Sequence, residues 1–359
     1  MSRSATPLAL ALALCAITTL GAQAAETVTL RGTDVAIYNL AGVVRVERGT
    51  GRDVTVEVRR GGTDGAKLKL ETGELRGHQT LRVMYDADRV VYPKLGRWSN
   101  TTMNVASDGT WGNSGDDNRW RPWGNRGRVK ISGSGGGMEA WADLVVHVPA
   151  GATLRLRHAV GEVHVNGTDG ALDVDVASAA VDIANVKGNV TVNGGSGSST
   201  LTNVTGDIVL DLGSGSTRLS KITAGDLKVD AGSGGVAGDN ISVSGRFDLD
   251  AGSGSCEFSQ LSARRAQFDV GSGSLRADFM TDVDDVKIDA GSGAVTLAFP
   301  ESVGAELDIE TGSGGISSDF PVQVSRTDRH VLRGTLGDGK GRISIDAGSG
   351  GVRLRKLVK

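Results

Sequence analysis

The sequence is poor in the residues that cross-link or stiffen small proteins. Its 359 residues include only 2 cysteines, 6 prolines and 4% aromatic residues. Cys15 lies in a segment that we predict is removed on export, so Cys256 stands alone and no intrachain disulfide can form. Stability must then come from apolar burial and backbone pairing. We expect Cys256 to be a small buried hydrophobic side chain, a reactive thiol being the alternative.

An excess of charge of one sign is also missing. The chain has 39 Lys+Arg and 42 Asp+Glu, a formal net charge of -3. This balance removes the electrostatic argument for binding nucleic acid. Beyond the N-terminus, no apolar run reaches the length of a transmembrane helix.

Enzyme motifs are scarce as well. The sequence has no phosphate-binding loop, no zinc-protease signature and no nucleophile elbow between a strand and a helix. We therefore predict a protein that is not an enzyme. A polysaccharide-active enzyme is the alternative, since the active sites of β-helix enzymes lie among loops. The polar residues Arg326, Asp328, Arg329 and His330 could form an active-site cluster of this kind.

The N-terminus has the pattern of an export signal. A short basic start at Arg3 precedes the apolar stretch 8–20, and Ala22-Gln23-Ala24 provides small residues for cleavage. We predict a signal peptide over 1–24 and a mature chain that is exported to the periplasm or the cell surface.

A Gly-Ser-Gly triplet recurs through the C-terminal half at intervals of about twenty residues. The triplets begin at Gly195, Gly213, Gly232, Gly252, Gly271, Gly291, Gly312 and Gly348. A fixed period of this length is typical of stacked repeats that bury their apolar faces only against their neighbours. The 54 glycines therefore indicate tight corners and not disorder.

The segments between triplets alternate apolar and polar residues. Leu227, Val229 and Ala231 are separated by single polar residues, as are Val286 and Ile288. Period-two alternation predicts strands with one buried face. We predict an all-β fold, a single-chain β-solenoid of about ten coils with roughly 18–21 residues each, two strands and two turns per coil, and sequential coils paired in parallel.

The same patterns divide the chain. We predict an N-terminal β region and cap over 25–95, a loop insertion rich in Trp, Arg and Gly over 96–137, and the solenoid over 138–359. The long step before the last triplet predicts a hairpin excursion over 319–341. Basic residues between 353 and 359 would protect the C-terminal edge against strand addition.

At these motifs the chain resembles a bacterial putative-adhesin family of exported β-strand-repeat proteins with a domain of unknown function. The resemblance rests on the recurring Asp-Ala-Gly-Ser-Gly unit, on the segment 146–152, and on the ending 334–339 followed by 343–352. It implies a right-handed, β-helix-like fold and a role in adhesion, and it brings no catalytic residues. The insertion over 96–137 departs from the compact family pattern.

An acidic residue stands two positions before most triplets. Stacked coils would place these side chains on one outward line about 4.8 Å apart, where like charges repel. We expect each carboxylate to accept a hydrogen bond from the turn backbone two residues on. The alternative is a cation site, with Ca²⁺ favoured by hard oxygen ligands; apart from this, no cofactor is expected. The candidate ligands are Asp211, Asp230, Asp250, Asp269, Asp289 and Asp346.

The insertion concentrates tryptophan and arginine, which are enriched at binding hot spots. It shows no alternation, so we interpret it as a long loop that either binds a partner or folds back to seal the solenoid. The candidate binding residues are Trp98, Trp111, Trp120, Trp123, Arg119 and Arg121. Among the histidines, His147, His158 and His164 are predicted to be solvated at the surface.

Together these features predict an adhesion or interaction module at the bacterial cell envelope, with an envelope glycan or a protein as its partner. An accessory protein that binds a protein partner in envelope signalling is the alternative. The sequence leaves the oligomeric state open.

Overall fold

The computed structural model describes residues 25–112 and 126–357. Two short 3-10 helices, Gly65–Lys67 and Pro93–Leu95, interrupt an otherwise all-β chain. The N-terminal strands are β1 Glu26–Leu30, β2 Asp34–Arg48, β3 Val54–Gly61, β4 Lys69–Leu75, β5 His78–Met84, β6 Arg89–Val91, β7 Asn100–Ala106, β8 Arg126–Ser132 and β9 Met138–Glu139.

The strands that follow form the repeat. They are β10 Trp141–Val148, β11 Thr153–Asn166, β12 Leu172–Lys187, β13 Val190–Ser196, β14 Ser199–Thr205, β15 Ile208–Ser214, β16 Thr217–Ala224, β17 Leu227–Ala231, β18 Val236–Val243, β19 Phe247–Ala251, β20 Cys256–Ala263, β21 Arg265–Val270, β22 Leu275–Phe279, β23 Asp285–Ala290, β24 Val295–Phe299, β25 Ala305–Thr311, β26 Ile316–Ser318, β27 Gln323–Thr327, β28 Val331–Leu336, β29 Gly341–Ala347 and β30 Val352–Lys356.

Each coil is built from an alternating strand, a glycine corner and a second strand. In the coil 208–224, Ile208, Leu210 and Leu212 are buried and their neighbours point outward. The strands pair in parallel with the next coil, so that Ile208 lies opposite Leu227 and Leu210 opposite Val229. The predicted solenoid-like, all-β fold is confirmed.

The second strand of a coil is bent, so a coil has three straight sides where the sequence predicts two strands. One residue near its middle adopts a left-handed conformation, with φ between 51° and 56°. These residues are Asn185, Asn203, Lys221, Asn240 and Gln260. An apolar residue follows each of them and returns to the core. Asparagine suits this conformation, and the Asn203 amide donates to Asn185 Oδ1 at 2.7 Å.

The triplet glycines are required because the corners of successive coils stack backbone on backbone. A Cβ built on Gly273 would lie closer than 3.0 Å to the carbonyl of Gly254, and one on Gly271 would meet the carbonyl of Gly252 in the same way. Any larger residue would force the coils apart at that corner. Close approach, more than turn geometry, explains why the triplet keeps its glycines.

The stacking order departs from the chain order at the N-terminal end. Strand β2 forms a complete coil that pairs in parallel with β11 along nearly its whole length, from Asp34 opposite Thr153 to Glu47 opposite Asn166. Strands β5 and β4 extend one sheet beyond β2, and β10, β3 and β1 extend the other. The region 25–95 therefore supplies both a coil and the strands that cover it.

The order departs again at the C-terminal end, where the expectation of sequential pairing is wrong. Strand β29 lies between β23 and β25. Its residue Ile343 lies opposite Val286 of β23 on one side and Leu307 of β25 on the other. Strand β30 lies likewise between β24 and β26. The predicted excursion is the hairpin β27–β28, which pairs antiparallel with the outer edge of β25. The hairpin occupies that edge and the last coil fills the inner position, so Arg353 lies between two strands where an open edge was expected.

One apolar core runs through the stack from Leu30 to Leu354. Phenylalanines pack together in the core, with the Phe247 and Phe268 rings edge to face at 5.0 Å and Phe279 stacked on Phe299 at 5.0 Å. Cys256 is buried in this core, as predicted, and burial raises the pKa of its thiol to about 11. It therefore acts as a hydrophobic side chain.

Candidate functional site

A second, smaller sheet packs on the side of the solenoid near its N-terminal end. Strand β8 lies between β7 and β6, and β6 also pairs with β9. The interpretation of 96–137 as a loop is thus wrong for its described part, which contributes β7 and β8. Period-two alternation is hard to recognise there because seven-residue strands rich in Thr, Asn, Gly and Arg carry few apolar residues.

This small sheet covers the outer face of the first coils. Tyr38, Leu40 and Ala159 point away from the main core and pack with Val129 and Ile131 in a separate buried cluster. Strand β2 is consequently buried on both faces, and so loses the alternation seen in other coils.

A cavity of about 660 Å³ lies where the small sheet meets the cap hairpin β4–β5. Its walls come from β2, β4, the end of β5 and the segment 85–88 that follows it, the end of β7 and the turn after it, and the start of β8. Leu40, Val83, Val129 and Trp111 are buried in its lining. Charged side chains at the rim are Lys69, Glu71, Asp86, Asp88 and Arg128. We call this the junction cavity.

A buried polar network holds one wall of the junction cavity. The Tyr85 hydroxyl donates to Asn39 Oδ1 at 2.8 Å, and the Asn39 amide donates to the Ala142 carbonyl at 2.8 Å. His158 Nε2 lies 3.0 Å from the Gly42 carbonyl, to which it donates. Burial raises the pKa of Tyr85 and lowers the pKa of His158 to about 4, so both side chains are neutral.

His158 was predicted to be solvated, and this is wrong because it continues the inward alternation of Leu154 and Leu156 and lies opposite Asn39 and Val176 inside the stack. Its neighbour Arg157 is also buried and forms a two-pronged ion pair with Asp173, at 2.8 Å and 3.1 Å. The charge of Arg157 is therefore matched inside the interface between coil and small sheet.

The turn that carries Trp111 is fixed by hydrogen bonds. Asp108 Oδ1 accepts from the Thr110 amide at 3.0 Å and its hydroxyl at 2.7 Å. Burial opposes ionisation of Asp108, but these bonds lower its pKa. Arg82 donates to the Asp108 carbonyl at 2.7 Å and lies 3.3 Å from Glu71, which ties the turn to β4.

The structure separates the predicted binding residues. Trp98 is 89% exposed and lies before β7, whereas Trp111 is only 7% exposed and lines the junction cavity. The two lie toward opposite ends of the β7–β8 hairpin, on the order of 20 Å apart at the rise of a strand. The other four candidates, Trp120, Trp123, Arg119 and Arg121, lie outside the described residues.

The acidic residues before the triplets form one ladder in register along the stack, as the repeat predicts. Their order in space is Asp211, Asp230, Asp250, Asp269, Asp289, Asp346 and Glu310. Burial and the neighbouring carboxylates raise the pKa of Asp230 and of Asp269. Arg333 binds Glu310 at 2.5 Å at one end of this acidic ladder.

The expected hydrogen bonds from turn amides to the ladder carboxylates are not formed. The Gly232 amide donates instead to the Leu212 carbonyl at 2.8 Å, and the Ser233 amide to the Gly213 carbonyl at 2.9 Å. The same pattern recurs at Gly252 and Gly271. The backbone pairing between coils continues through the corner, so the corner donors are already used. Across 25–112 and 126–357, no group of three or more His, Cys, Asp or Glu side chains is arranged to hold a metal ion.

The polar group on the C-terminal hairpin lies on an exposed surface. Arg326 and Asp328 are exposed and 3.8 Å apart, and the His330 amide donates to Asp328 Oδ1 at 2.8 Å. His330 Nδ1 lies 3.2 Å from the Gly314 carbonyl. These contacts fix the tip of the β27–β28 hairpin against the last corner.

Comparison with known proteins agrees with the repeat architecture. Residues 205–355 match the family model described as Toastrack DUF4097. This match confirms the predicted resemblance to a family with a domain of unknown function, and a domain of this kind fits an interaction module. The matched Toastrack segment runs to the last strand and contains the C-terminal hairpin, but it includes neither the small sheet nor the junction cavity.

A crystal structure of a putative cell adhesion protein from Clostridium sporogenes aligns at 10% identity, over 93% of this chain and 100% of the other, with a TM-score of 0.17. A score this low supports no argument about fold or function. No curated protein matches the chain. In the described part of the chain, no helix is long and apolar enough to cross a membrane.

Sequence reasoning missed the residues of the junction cavity other than Trp111. One signal was available: the stretch 35–46 is nearly all apolar where the other coils alternate, which indicates a strand covered on both faces. A second sheet outside the solenoid, and a cavity at its edge, could have been sought from that stretch.

Proposed function

We propose that this protein is an exported, non-enzymatic interaction module that works in adhesion at the bacterial cell envelope. The observation that carries the proposal is the small sheet, which holds an exposed tryptophan and the junction cavity on the side of a long, capped stack. The match of residues 205–355 to Toastrack DUF4097, in agreement with the family resemblance of the sequence, supports it. Export rests on the signal sequence pattern of residues 1–24.

The scaffold suits a binding role because it is stiff and its ends are covered. Coils inside the stack pair with two neighbours through parallel backbone hydrogen bonds. Antiparallel strands continue the sheets at the N-terminal end and the edge of β25 at the C-terminal end. Covered ends limit uncontrolled stacking of one copy on another. A contact surface on a rigid scaffold loses little conformational freedom when it binds.

We propose no catalytic role and no cofactor. The polar group at 326–330 lies on an open hairpin, and its side chains are engaged with one another and with the backbone. A catalytic cluster usually lies in a concave site that excludes water.

The test is a pull-down of the mature protein, from residue 25, with isolated cell walls and with intact cells. Removing 97–136 would strip the cover from Tyr38 and Leu40, so two smaller changes are preferable. One variant carries Trp98→Ala, and the other replaces 113–125 by a Gly/Ser linker of equal length. Loss of binding in either variant, with the fold retained by circular dichroism, supports the proposal and locates the contact.

Other outcomes would contradict the proposal in defined ways. If the wild-type protein binds neither cell walls nor intact cells, the adhesion role is wrong. Specific recovery of one protein from a periplasmic extract would then favour the alternative role in envelope signalling. Turnover of a polysaccharide by the wild-type protein would contradict the non-enzymatic assignment.

A further inference from the structure

The junction cavity has an aromatic and apolar floor. Trp111, Leu40, Val83 and Val129 are buried in it, and Tyr85 and Met84 are half-buried beside them. Flat aromatic surfaces bind partners that combine an apolar face with polar groups at the edge. Methionine adapts its shape to irregular ligands at low cost.

One floor residue has an unsatisfied hydrogen-bond donor that lies behind the cavity surface. The Trp111 indole N–H is buried and has no hydrogen-bond partner among the described residues. Buried indole N–H groups usually have a partner, because leaving one unsatisfied costs free energy. The N–H is enclosed by protein atoms, so a ligand in the cavity would meet other atoms of the Trp111 side chain.

The rim carries charges of both signs. Glu71, Asp86 and Asp88 can only accept hydrogen bonds when ionised, while Lys69 and Arg128 can only donate. An ionic ligand would meet repulsion from part of this rim whichever sign it carried. A ligand with hydroxyl groups can use both sets, because a hydroxyl donates and accepts.

The walls are fixed before any ligand arrives. Tyr85 is held by Asn39 and by the Ala41 carbonyl, and Arg82 joins the Trp111 turn to β4. The volume of about 660 Å³ lies within the range of small-molecule sites and would hold roughly two or three sugar rings. A preformed site of this size binds without a large ordering cost.

We infer that the junction cavity binds a neutral oligosaccharide, with a sugar ring against Trp111 and Tyr85 and its hydroxyls bonded to the charged rim. This deepens the proposed function and rests on it, since an envelope glycan would be the partner. A peptide fits less well. Its backbone amides and carbonyls would need a regular row of partners, whereas the rim offers isolated side chains of mixed charge.

The inference is tested by titrating the mature protein with purified neutral oligosaccharides of two to four rings, followed by calorimetry. Acidic oligosaccharides of the same lengths and a mixed peptide library serve as competing probes. Trp111→Phe keeps an apolar floor but reduces the aromatic area available to a sugar ring, so we expect affinity three- to tenfold weaker. The double variant Asp86→Asn and Asp88→Asn changes only exposed rim side chains, and we expect at least tenfold weaker binding.

Trp98→Phe is the matched control, because Trp98 lies at the far end of the same hairpin and does not line the cavity. It should leave the affinity unchanged. Circular dichroism and thermal unfolding check that each variant is folded.

Three outcomes overturn the inference: no neutral oligosaccharide binds, acidic oligosaccharides or peptides bind better, or binding survives both cavity changes. The failures of the two proposals are distinguishable. Cell-wall binding that persists without oligosaccharide binding overturns only the cavity assignment, whereas loss of both overturns the adhesion role as well.

Discussion

The acidic ladder makes a quantitative prediction about stability, because its carboxylates repel one another in the folded protein. Asp250 lies directly between Asp230 and Asp269 in the parallel register. After burial, it is the largest cause of the raised pKa of both neighbours. Replacing it by asparagine keeps its shape and removes two repulsive contacts. We therefore expect Asp250→Asn to stabilise the protein.

The size of the effect follows from the strand spacing. Two unit charges about 4.8 Å apart in water repel by roughly 0.9 kcal/mol. At about 0.15 M salt, screening over a length of about 8 Å reduces this by nearly half, so two contacts give about 1 kcal/mol. At about 1 M salt the screening length is about 3 Å and the gain falls to roughly 0.3 kcal/mol.

The assay is urea unfolding of the wild type and Asp250→Asn at both salt concentrations. Glu306→Gln is the control, because Glu306 is an exposed carboxylate whose parallel neighbour is Arg342, so its loss should bring no gain. A gain of similar size in the control, or one that does not shrink with salt, would refute the reasoning.

The same change should alter the pH dependence. A carboxyl whose folded pKa is raised takes up its proton in the folded state before it does in the unfolded chain. Asp230 and Asp269 therefore favour the folded state increasingly as pH falls through their raised pKa values. In Asp250→Asn this gain in stability at low pH should be smaller, because the pKa values of Asp230 and Asp269 should be less raised. Titration of the two carboxyls by NMR would show the change.

Three further predictions concern the corner, the buried histidine and the cation site. Gly273→Ala should destabilise the protein by about 3 kcal/mol or more, since its Cβ would meet the Gly254 carbonyl, whereas Gly315→Ala meets nothing within 4 Å and should be neutral in thermal unfolding. His158 has a folded pKa of about 4, so stability should be complete above pH 6.5 and fall by about 1 kcal/mol between pH 7 and 5.5. His158→Val, which copies the residue opposite it in the next coil, should abolish that pH step in denaturant unfolding. Removing Ca²⁺ with a chelator should leave the melting temperature unchanged, and a clear drop would show that the acidic ladder holds a cation.

The repeat could be predicted from the sequence because its signals are local. The Gly-Ser-Gly triplets set the corners, and the alternation before them sets which side chains face the core. The in-register acidic ladder follows from the same period, since equal steps place equivalent residues side by side. The hydrogen bonds of its carboxylates could not be predicted. A corner amide can donate either to a nearby side chain or to the carbonyl of another coil, and the sequence does not distinguish the two.

The order of the coils could not be predicted, because it depends on which strand edges are free. The last triplet looks like any other in the sequence, yet its coil lies between β23 and β25. Only the antiparallel pairing of β28 on the outer edge of β25 leaves that inner position for β29.

The candidate site shows the same division. The sequence by itself determined a stack of parallel coils with glycine corners, since period and alternation are properties of neighbouring residues. Only the tertiary structure decided that Trp111 and Tyr85 line one cavity while Trp98 stays exposed. Those positions depend on the small sheet, whose strands lie far from β2 in the chain. The sheet packs there because β2 and β11 together present an apolar outer face. Contacts between segments so far apart carry no period for a sequence to display.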